Sequence, residues 1–419
     1  MAEIAPFRAV RYDFGPINGD VSDRIAPPYD LLDESDKGAL LSGSDRNIVA
    51  IDLPHAPAKA MGPAECYQQA GRTLTAWMQD GTLIREDVPA IYAYHQVFEY
   101  GGRSYTRRMF LTRLKLEPFS TGSVLPHEET FGGPKEDRLA LMKATDANIS
   151  PVFALYRDPA GVVTEALASP TSGQPDASGE LGGVRQRLWI VSDAAVIERV
   201  VRAFVQMTVY IADGHHRYIT ALNFRDWVAH GDRGPIAPDH PVNYVMVALA
   251  GMDDPGSLIL PTHRVLVDMG EMTLDGLLST WRDGCERSAA DAADMTLFHG
   301  PSGESVHVRF TNRAVLSSLE PNKSAPWRAL DVAYLHRYLI DELLTPAVGG
   351  RGGVTIRYIK SPEEARKLAT EAAGTALICK PTTMAQLCAV SEAGDLMPQK
   401  STYFYPKVAT GLTINLLRE

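Results

Sequence analysis

A chain of 419 residues, 45% hydrophobic and 22% charged, has the apolar mass for a sizeable core, which excludes long disorder and leads us to expect two domains or one enlarged one. Its net charge of -10 opposes nonspecific nucleic-acid binding, which needs a basic face to displace counterions. The four cysteines, Cys66, Cys285, Cys379 and Cys388, lack paired spacing, no apolar run approaches the roughly 18 residues of a membrane span, and the N-terminus has no export pattern, so a reducing cytoplasm is expected.

The start, Phe7 to Tyr12, alternates as a strand does and leads through Gly15-Pro16 and Asn18-Gly19 to Ile25-Ala26-Pro27-Pro28-Tyr29-Asp30. Two prolines forbid a helix there and fix the angle at which Tyr29 and Asp30 are presented. Asp33, Glu34 and Asp36 suit the opening of a short helix, and Asn47 to Pro54 reads as a second strand. Ala64 to Asp80 predicts an amphipathic helix with Tyr67, Ala70, Leu74 and Trp77 on one face and Gly81 just past its end. Two strands between Ala90 and Leu116 flank the turn signal Tyr100-Gly101-Gly102. The second delivers the chain to Leu125-Pro126-His127-Glu128-Glu129-Thr130, then Phe131-Gly132-Gly133-Pro134-Lys135, with a helix following through Arg138. That loop gathers an imidazole, carboxylates, a hydroxyl and an ammonium, and competes with the reading of a solvated polar segment.

Pro151 to Tyr156 predicts a buried strand, Ala166 to Gly182 a mobile surface connection, Arg187 to Val191 another strand, and Ser192-Asp193 the cap of a helix to about Val205. Val209 to Ile211 then stops at Asp213-Gly214, and helical spacing continues through Tyr218, Leu222, Phe224 and Trp227 to His230-Gly231. Strand, tight turn and helix thus place Asp213, Gly214, His215, His216 and Arg217 at the positive end of a helix. Backbone N–H groups lacking intrahelical partners, a glycine that admits close approach and a guanidinium fork all suit phosphate oxygens. The plainer alternative has Asp213 capping the helix and the histidines bonding locally. Tyr244 to Leu249 is an apolar strand with which Leu258 to Arg264 is expected to pair. Beyond Val265 a separate α/β unit is expected, with helices at Met272 to Asp283 and Asp331 to Leu344, and strands at Val306 to Phe310 and Ala376 to Lys380. Gly349 to Gly353 lacks the ending of a phosphate loop and precedes a strand-like run, so it reads as a turn. The alternation of strands and helices gives a mixed α/β (α+β) class.

Ala212-Asp213-Gly214-His215-His216-Arg217-Tyr218 resembles the central motif of the family catalogued as domain of unknown function 1015. Ile25 to Asp30, Leu125 to Thr130, Pro261-Thr262-His263-Arg264 and Lys400 to Lys407 match further motifs in order, so the resemblance runs over most of the chain. The Asp-Gly-His-His-Arg turn is also similar to the phosphate-binding turn of the ParB/sulfiredoxin fold, whose members include free serine kinases. The resemblance implies a ParB/sulfiredoxin-like nucleotide-binding core at residues 1–264, with an inserted hairpin and helices, and a C-terminal α/β domain at 265–419 closing over the site. It implies a nucleotide, ATP or ADP, with a phosphate at Gly214 to Arg217; Asp213, Gly214, His215, His216 and Arg217 are the expected phosphate-binding residues, and Lys135 or Arg138 would steady the transferring group. Mg2+ is expected to accompany the nucleotide.

On this reading the chain is a kinase acting on a hydroxylated metabolite, free L-serine leading by similarity. Asp30, its neighbour Glu34, or Glu128 would be the base and His215 a further catalytic group. Tyr29, His127, Thr130, His263 and Arg264 would surround the substrate, with Asp30, His127, His215 and Arg217 opening onto one crevice. A phosphoester or nucleotide hydrolase built on the same histidines and carboxylates around a metal, and a non-catalytic nucleotide-binding module, are the alternatives. No membrane or nucleic-acid partner is expected, and a homodimer stays open.

Overall fold

The computed structural model describes residues 2–57, 60–129, 135–231, 236–349 and 354–418. The chain divides into two units, the first comprising Met1–Pro126, Thr130–Leu258 and Pro406–Glu419, the second His127–Glu129 and Ile259–Tyr405.

The first unit is built on a nine-stranded sheet. In chain order its strands are β1 (Ile4–Ala5), β2 (Ile91–Tyr100), β3 (Arg103–Lys115), β4 (Val124–Leu125), β5 (Val152–Tyr156), β6 (Ala177–Leu181), β7 (Val184–Val191), β8 (Val209–Asp213) and β9 (Tyr244–Gly251). They lie side by side as β4-β8-β5-β9-β3-β2-β7-β6, with β1 against β3. The pairs β4-β8 and β5-β9 are parallel and the others antiparallel, so the sheet is mixed. β2 and β3 form the expected hairpin, Tyr100 facing Arg103 across Gly101 at φ 56° and Gly102 at φ 72°. Two successive left-handed residues are what a tight hairpin turn demands.

Seven helices of this unit carry the site or the core: α1 (Glu34–Gly43), α2 (Val49–Asp52), α3 (Ala64–Gln79), α4 (Lys135–Thr145), α5 (Val162–Ala168), α6 (Ala194–Phe204) and α7 (His215–Ala229). Val163, Ala166, Val200, Phe204, Tyr218 and Phe224 from α5, α6 and α7 pack with Ile91, Phe110 and Val247 of the sheet. A second core joins Tyr67, Ala70, Leu74 and Trp77, the expected face of α3, to Tyr12, Ile48, Ile51, Leu141 and Ile414. Each such large side chain contributes about 1.5–3 kcal/mol by leaving water. The acidic cluster opens α1 as expected, with Asp33 and Asp36 forming a reciprocal capping box, and Asp193 accepts from Ala195 and Val196 at the start of α6.

Three expectations are corrected. Asn47 to Pro54 holds the helical turn α2 instead of a strand, because Asn47 Oδ1 takes the Val49 N–H at 3.0 Å while its Nδ2 is tied to Ile25 O at 2.9 Å. An apolar run buried on all sides carries no period that separates helix from strand. Ala166 to Gly182 is ordered: it contains the end of α5 and all of β6, and Trp189 Nε1 donates to Gly173 O at 3.1 Å between them. Finally, Leu258 to Arg264 does not pair with β9, since both edges of β9 are already occupied by β3 and β5.

The second unit contains β10 (His263–Val267), β11 (Cys285–Arg287), β12 (Met295–His299), β13 (Ser305–Phe310), β14 (Thr355–Ile359) and β15 (Thr375–Cys379). They form a six-stranded antiparallel sheet in the order β11-β13-β12-β15-β10-β14. The helix Pro362–Glu371 covers it, Ala365 and Ala369 packing on Val265, Val267 and Ala376. The expected helix from Met272 shortens to Leu274–Thr280, whereas the one from Asp331 continues through Tyr334 into a π-helical stretch, Leu335–Leu344. Of the glycine run only Gly349 falls within the described residues.

Candidate functional site

β8 aligns with β5 as Tyr210 to Leu155 and Ile211 to Ala154, then slips so that Asp213 faces Phe153. This bulge at Ala212 turns the strand end and re-aims Asp213 just before the helix. Gly214, at φ 85° and ψ 28°, is the N-cap of α7; no side chain caps the helix and its first turn holds no acidic residue. Asp213 is therefore not the cap. Its carboxylate sits 2.7 Å from Lys407 Nζ and 3.6 Å from Arg217 Nη2. Burial alone would raise its pKa, but Lys407 and Arg217, with His215 adding to them, hold the carboxyl well below the ordinary carboxylate range. Arg217 folds back over the turn, so that a Cβ on Gly214 would stand 2.8 Å from its Nε, and Nη1 donates to Pro151 O. The leading N–H groups of α7 thus open beside two cations, with no carboxylate capping the turn in competition with an incoming anion.

Next to this turn, Arg138 on α4 is almost wholly buried. Its guanidinium lies 4.0 Å from the centre of the Tyr29 ring, Nε donates to Asp137 Oδ2 at 2.6 Å and Nη1 to Asp52 O at 2.6 Å. Burial works against its charge, yet the Asp52 and Asp137 carboxylates outweigh it and keep the guanidinium firmly protonated. Asp52 ends α2, accepts from Ser150 Oγ at 2.7 Å and is pushed above the ordinary carboxylate value by burial that Arg138 and Ser150 only partly offset. Burial likewise lifts the Tyr29 hydroxyl to about 12. The charges of Asp30 and Arg217 both act on Tyr29 and Asp52, so Tyr29, Asp30, Asp52, Arg138 and Arg217 belong to one cluster, with Asp30 its exposed member.

Within the second unit, His127 and Glu128 meet the Lys400 to Tyr405 segment. His127 Nε2 lies 2.8 Å from Thr402 Oγ1, and the Lys400 N–H donates to Glu128 Oε1 at 2.9 Å. Arg264 donates from Nη2 to Lys400 O at 3.0 Å and from Nε to His336 Nε2 at 3.1 Å. His263 Nδ1 accepts the Cys379 N–H at 3.2 Å, and burial, aided by Arg264, lowers its pKa to about 4, so it is neutral at physiological pH. His263 and Arg264 therefore lie on an interior sheet strand of the second unit, where Arg264 is hydrogen-bonded and His263 Nε2 has no hydrogen-bond partner among the described residues.

Of the residues singled out from the sequence, Tyr29, Asp30, Arg138, Asp213, Gly214, His215, His216 and Arg217 fall in the first unit, and His127, Glu128, His263 and Arg264 in the second. Glu34 is the first residue of α1. Thr130 and the Lys135 side chain lie outside the described residues. Sequence reasoning overlooked Asp52 and Ser150, and had Lys407 only as the end of the matched Lys400 to Lys407 motif. The signal available for Asp52 was a carboxylate closing an apolar run; nothing local marked Lys407 as the partner of Asp213. Among the described residues no group of three or more His, Cys, Asp or Glu is placed to hold a metal ion, and no helix is long and apolar enough to cross a membrane.

Residues 4–333 match the model of a family described as "Protein of unknown function (DUF1015)". No curated protein matches the chain. Similar solved structures include a conserved hypothetical protein from Pyrococcus furiosus, at 11% identity over 74% of this chain and 95% of that one with a TM-score of 0.34. A free serine kinase in complex with AMP is similar at 10% identity over 73% of this chain and 92% of that one, TM-score 0.32. A C-terminally truncated SbnI from Staphylococcus aureus is similar at 13% identity over 73% and 87% respectively, TM-score 0.37.

Proposed function

The chain belongs to the DUF1015 family, and from that premise and the geometry of its central turn we propose that it is a nucleotide-dependent phosphotransferase, passing a phosphoryl group from ATP or ADP to a small hydroxylated metabolite such as free L-serine. The observation that carries this reading is the first turn of α7, opened by a left-handed glycine, uncapped by any side chain and flanked by Arg217 and Lys407. Phosphoryl transfer asks little covalent chemistry of a protein; it needs positive groups around the phosphates and a base aimed at the acceptor hydroxyl. The N–H groups of α7 and Arg217 would hold the phosphates. Asp213, kept ionised by Lys407, would hold Arg217 at the turn. Asp30 is the better-suited base, because it is the exposed carboxylate of its cluster whereas Glu128 already accepts from the Lys400 N–H. Magnesium would enter with the nucleotide, since it keeps several waters and needs only one or two carboxylates from the protein.

The test is phosphorus NMR of the protein with ATP or ADP, magnesium and a pool of amino acids. A new phosphomonoester signal is expected. Release of inorganic phosphate alone would make the chain a hydrolase, and binding without turnover would make it a binding module. By calorimetry, Arg217→Ala should weaken nucleotide binding by about 1.5–3 kcal/mol, the worth of a charged hydrogen bond, and Asp30→Asn should abolish turnover while sparing affinity. Unchanged affinity in Arg217→Ala would remove the turn as the phosphate site.

A further inference from the structure

Among the buried side-chain polar atoms of the first unit with no hydrogen-bond partner among the described residues are Thr220 Oγ1 and Asn148 Nδ2, and their residues line the same cleft. Thr220 is fully buried and Asn148 is 3% exposed. Tyr29, Asp52, Arg138, Ser150 and Arg217 complete its polar lining, and its cavity volume is about 40 Å³. Native proteins leave few buried polar groups unsatisfied, so two on one wall point to an occupant.

The donor pattern selects its chemistry. Asn148 Oδ1 accepts from the Met246 N–H and from Asn415 Nδ2, each at 3.0 Å, so turning the amide over would set its NH2 against two donors. The NH2 is therefore fixed as the spare end, and it can only donate. Arg138 and Arg217 also only donate. The Ser150 hydroxyl gives its hydrogen to Asp52 Oδ2 and accepts from Thr410 Oγ1 at 3.2 Å. Asp137, which pairs with Arg138, and Asp213, which pairs with Arg217 and Lys407, do not line the cleft; Asp52 is the one carboxylate among its lining residues. We propose that this cleft binds a small oxyanion, a phosphate or carboxylate group, through Asn148 Nδ2 and Thr220 Oγ1, with Arg138 and Arg217 supplying the countercharge. The site lies on the α4 side of Arg217 and is distinct from the backbone cradle at Gly214. It shares Arg217 with the nucleotide reading but does not rest on it.

Thermal unfolding of the full chain, titrated separately with inorganic phosphate and with acetate, tests this. One of the two anions should raise the midpoint of the wild type, and which one does so tells a phosphate from a carboxylate source. Thr220→Val removes an unsatisfied hydroxyl without changing shape, so the variant should be at least as stable as the wild type without anion, yet bind the anion about tenfold more weakly, the worth of one hydrogen bond. Asn148→Asp, which keeps the acceptor for Met246 but turns the donor into a negative oxygen, should abolish the anion effect. ATP affinity should be unaltered in Thr220→Val, which separates this site from the nucleotide cradle. A wild type indifferent to both anions, or a Thr220→Val or Asn148→Asp protein that responds as the wild type does, overturns the proposal.

Discussion

Asp213 is part-buried between an ammonium and a guanidinium, and its carboxyl is held well below the ordinary range. A folded carboxyl that binds its proton more weakly than the unfolded one contributes stability above its unfolded pKa, about 4, and loses it as the pH falls from there through the folded pKa. Asp213→Asn should therefore cost about 3 kcal/mol at neutral pH, leaving Lys407 and Arg217 facing each other uncompensated, and the deficit should shrink below about pH 4. Urea midpoints of both proteins between neutral and acid pH measure it; a deficit constant across that range would rule out ion pairing as the cause. Asp52 acts with the opposite sign, its raised pKa favouring the fold in acid, but it is common to both proteins and drops out of the difference. The residues of the Asp213 to Arg217 turn could be read from the sequence because strand, glycine and helix signals adjoin there. Lys407 and Asp52 could not be paired with Asp213 and Arg138, since those partnerships span long stretches of chain.

The element that orients the cradle is the junction of β8 and α7, and its geometry hangs on Gly214. At φ 85° any L side chain is strained, and here the added Cβ would also press on Arg217 Nε. Gly214→Ala should lower stability by about 1–2 kcal/mol and, by displacing Arg217, weaken nucleotide binding as well. Calorimetric titration beside denaturant unfolding checks both; a variant less stable but binding nucleotide normally would show that the position of Arg217 is immaterial. Elements with one wet face were legible beforehand, as α3 with its buried Tyr67, Ala70, Leu74 and Trp77 demonstrates. α2 was not, because Val49 and Ile51 are both fully buried and leave no polar side to count from.

For the whole molecule, the returning segment Pro406–Glu419 completes the first unit. The buried Gln96 donates to Lys407 O at 2.9 Å, and fully buried Arg107 donates to Pro406 O at 2.5 Å. Asn415 and Leu416 pair with Asn148 and Ala147. A chain ending at Tyr405 should lose the cooperative unfolding of the first unit, with β2 and β3 exchanging amide hydrogens freely while the β12-β15-β10 ladder stays protected. Equal protection of both sheets would show that the segment is dispensable. Mixed α/β class was legible from alternating patterns, whereas the route of the chain was not, since short periodicities say nothing about which distant strand becomes a neighbour.

That route also orders events during synthesis. Asp213 and Arg107 leave the ribosome long before Lys407 and Pro406, with Ile259–Tyr405 of the second unit made in between. Until then a carboxylate and a guanidinium destined for burial lack the partners that make burial tolerable, and contacts so distant in sequence form slowly. The cradle at Gly214 thus gains Lys407 only once the second unit has been made, and a product of premature termination within the second unit carries the entire Asp-Gly-His-His-Arg sequence without that ammonium to set it.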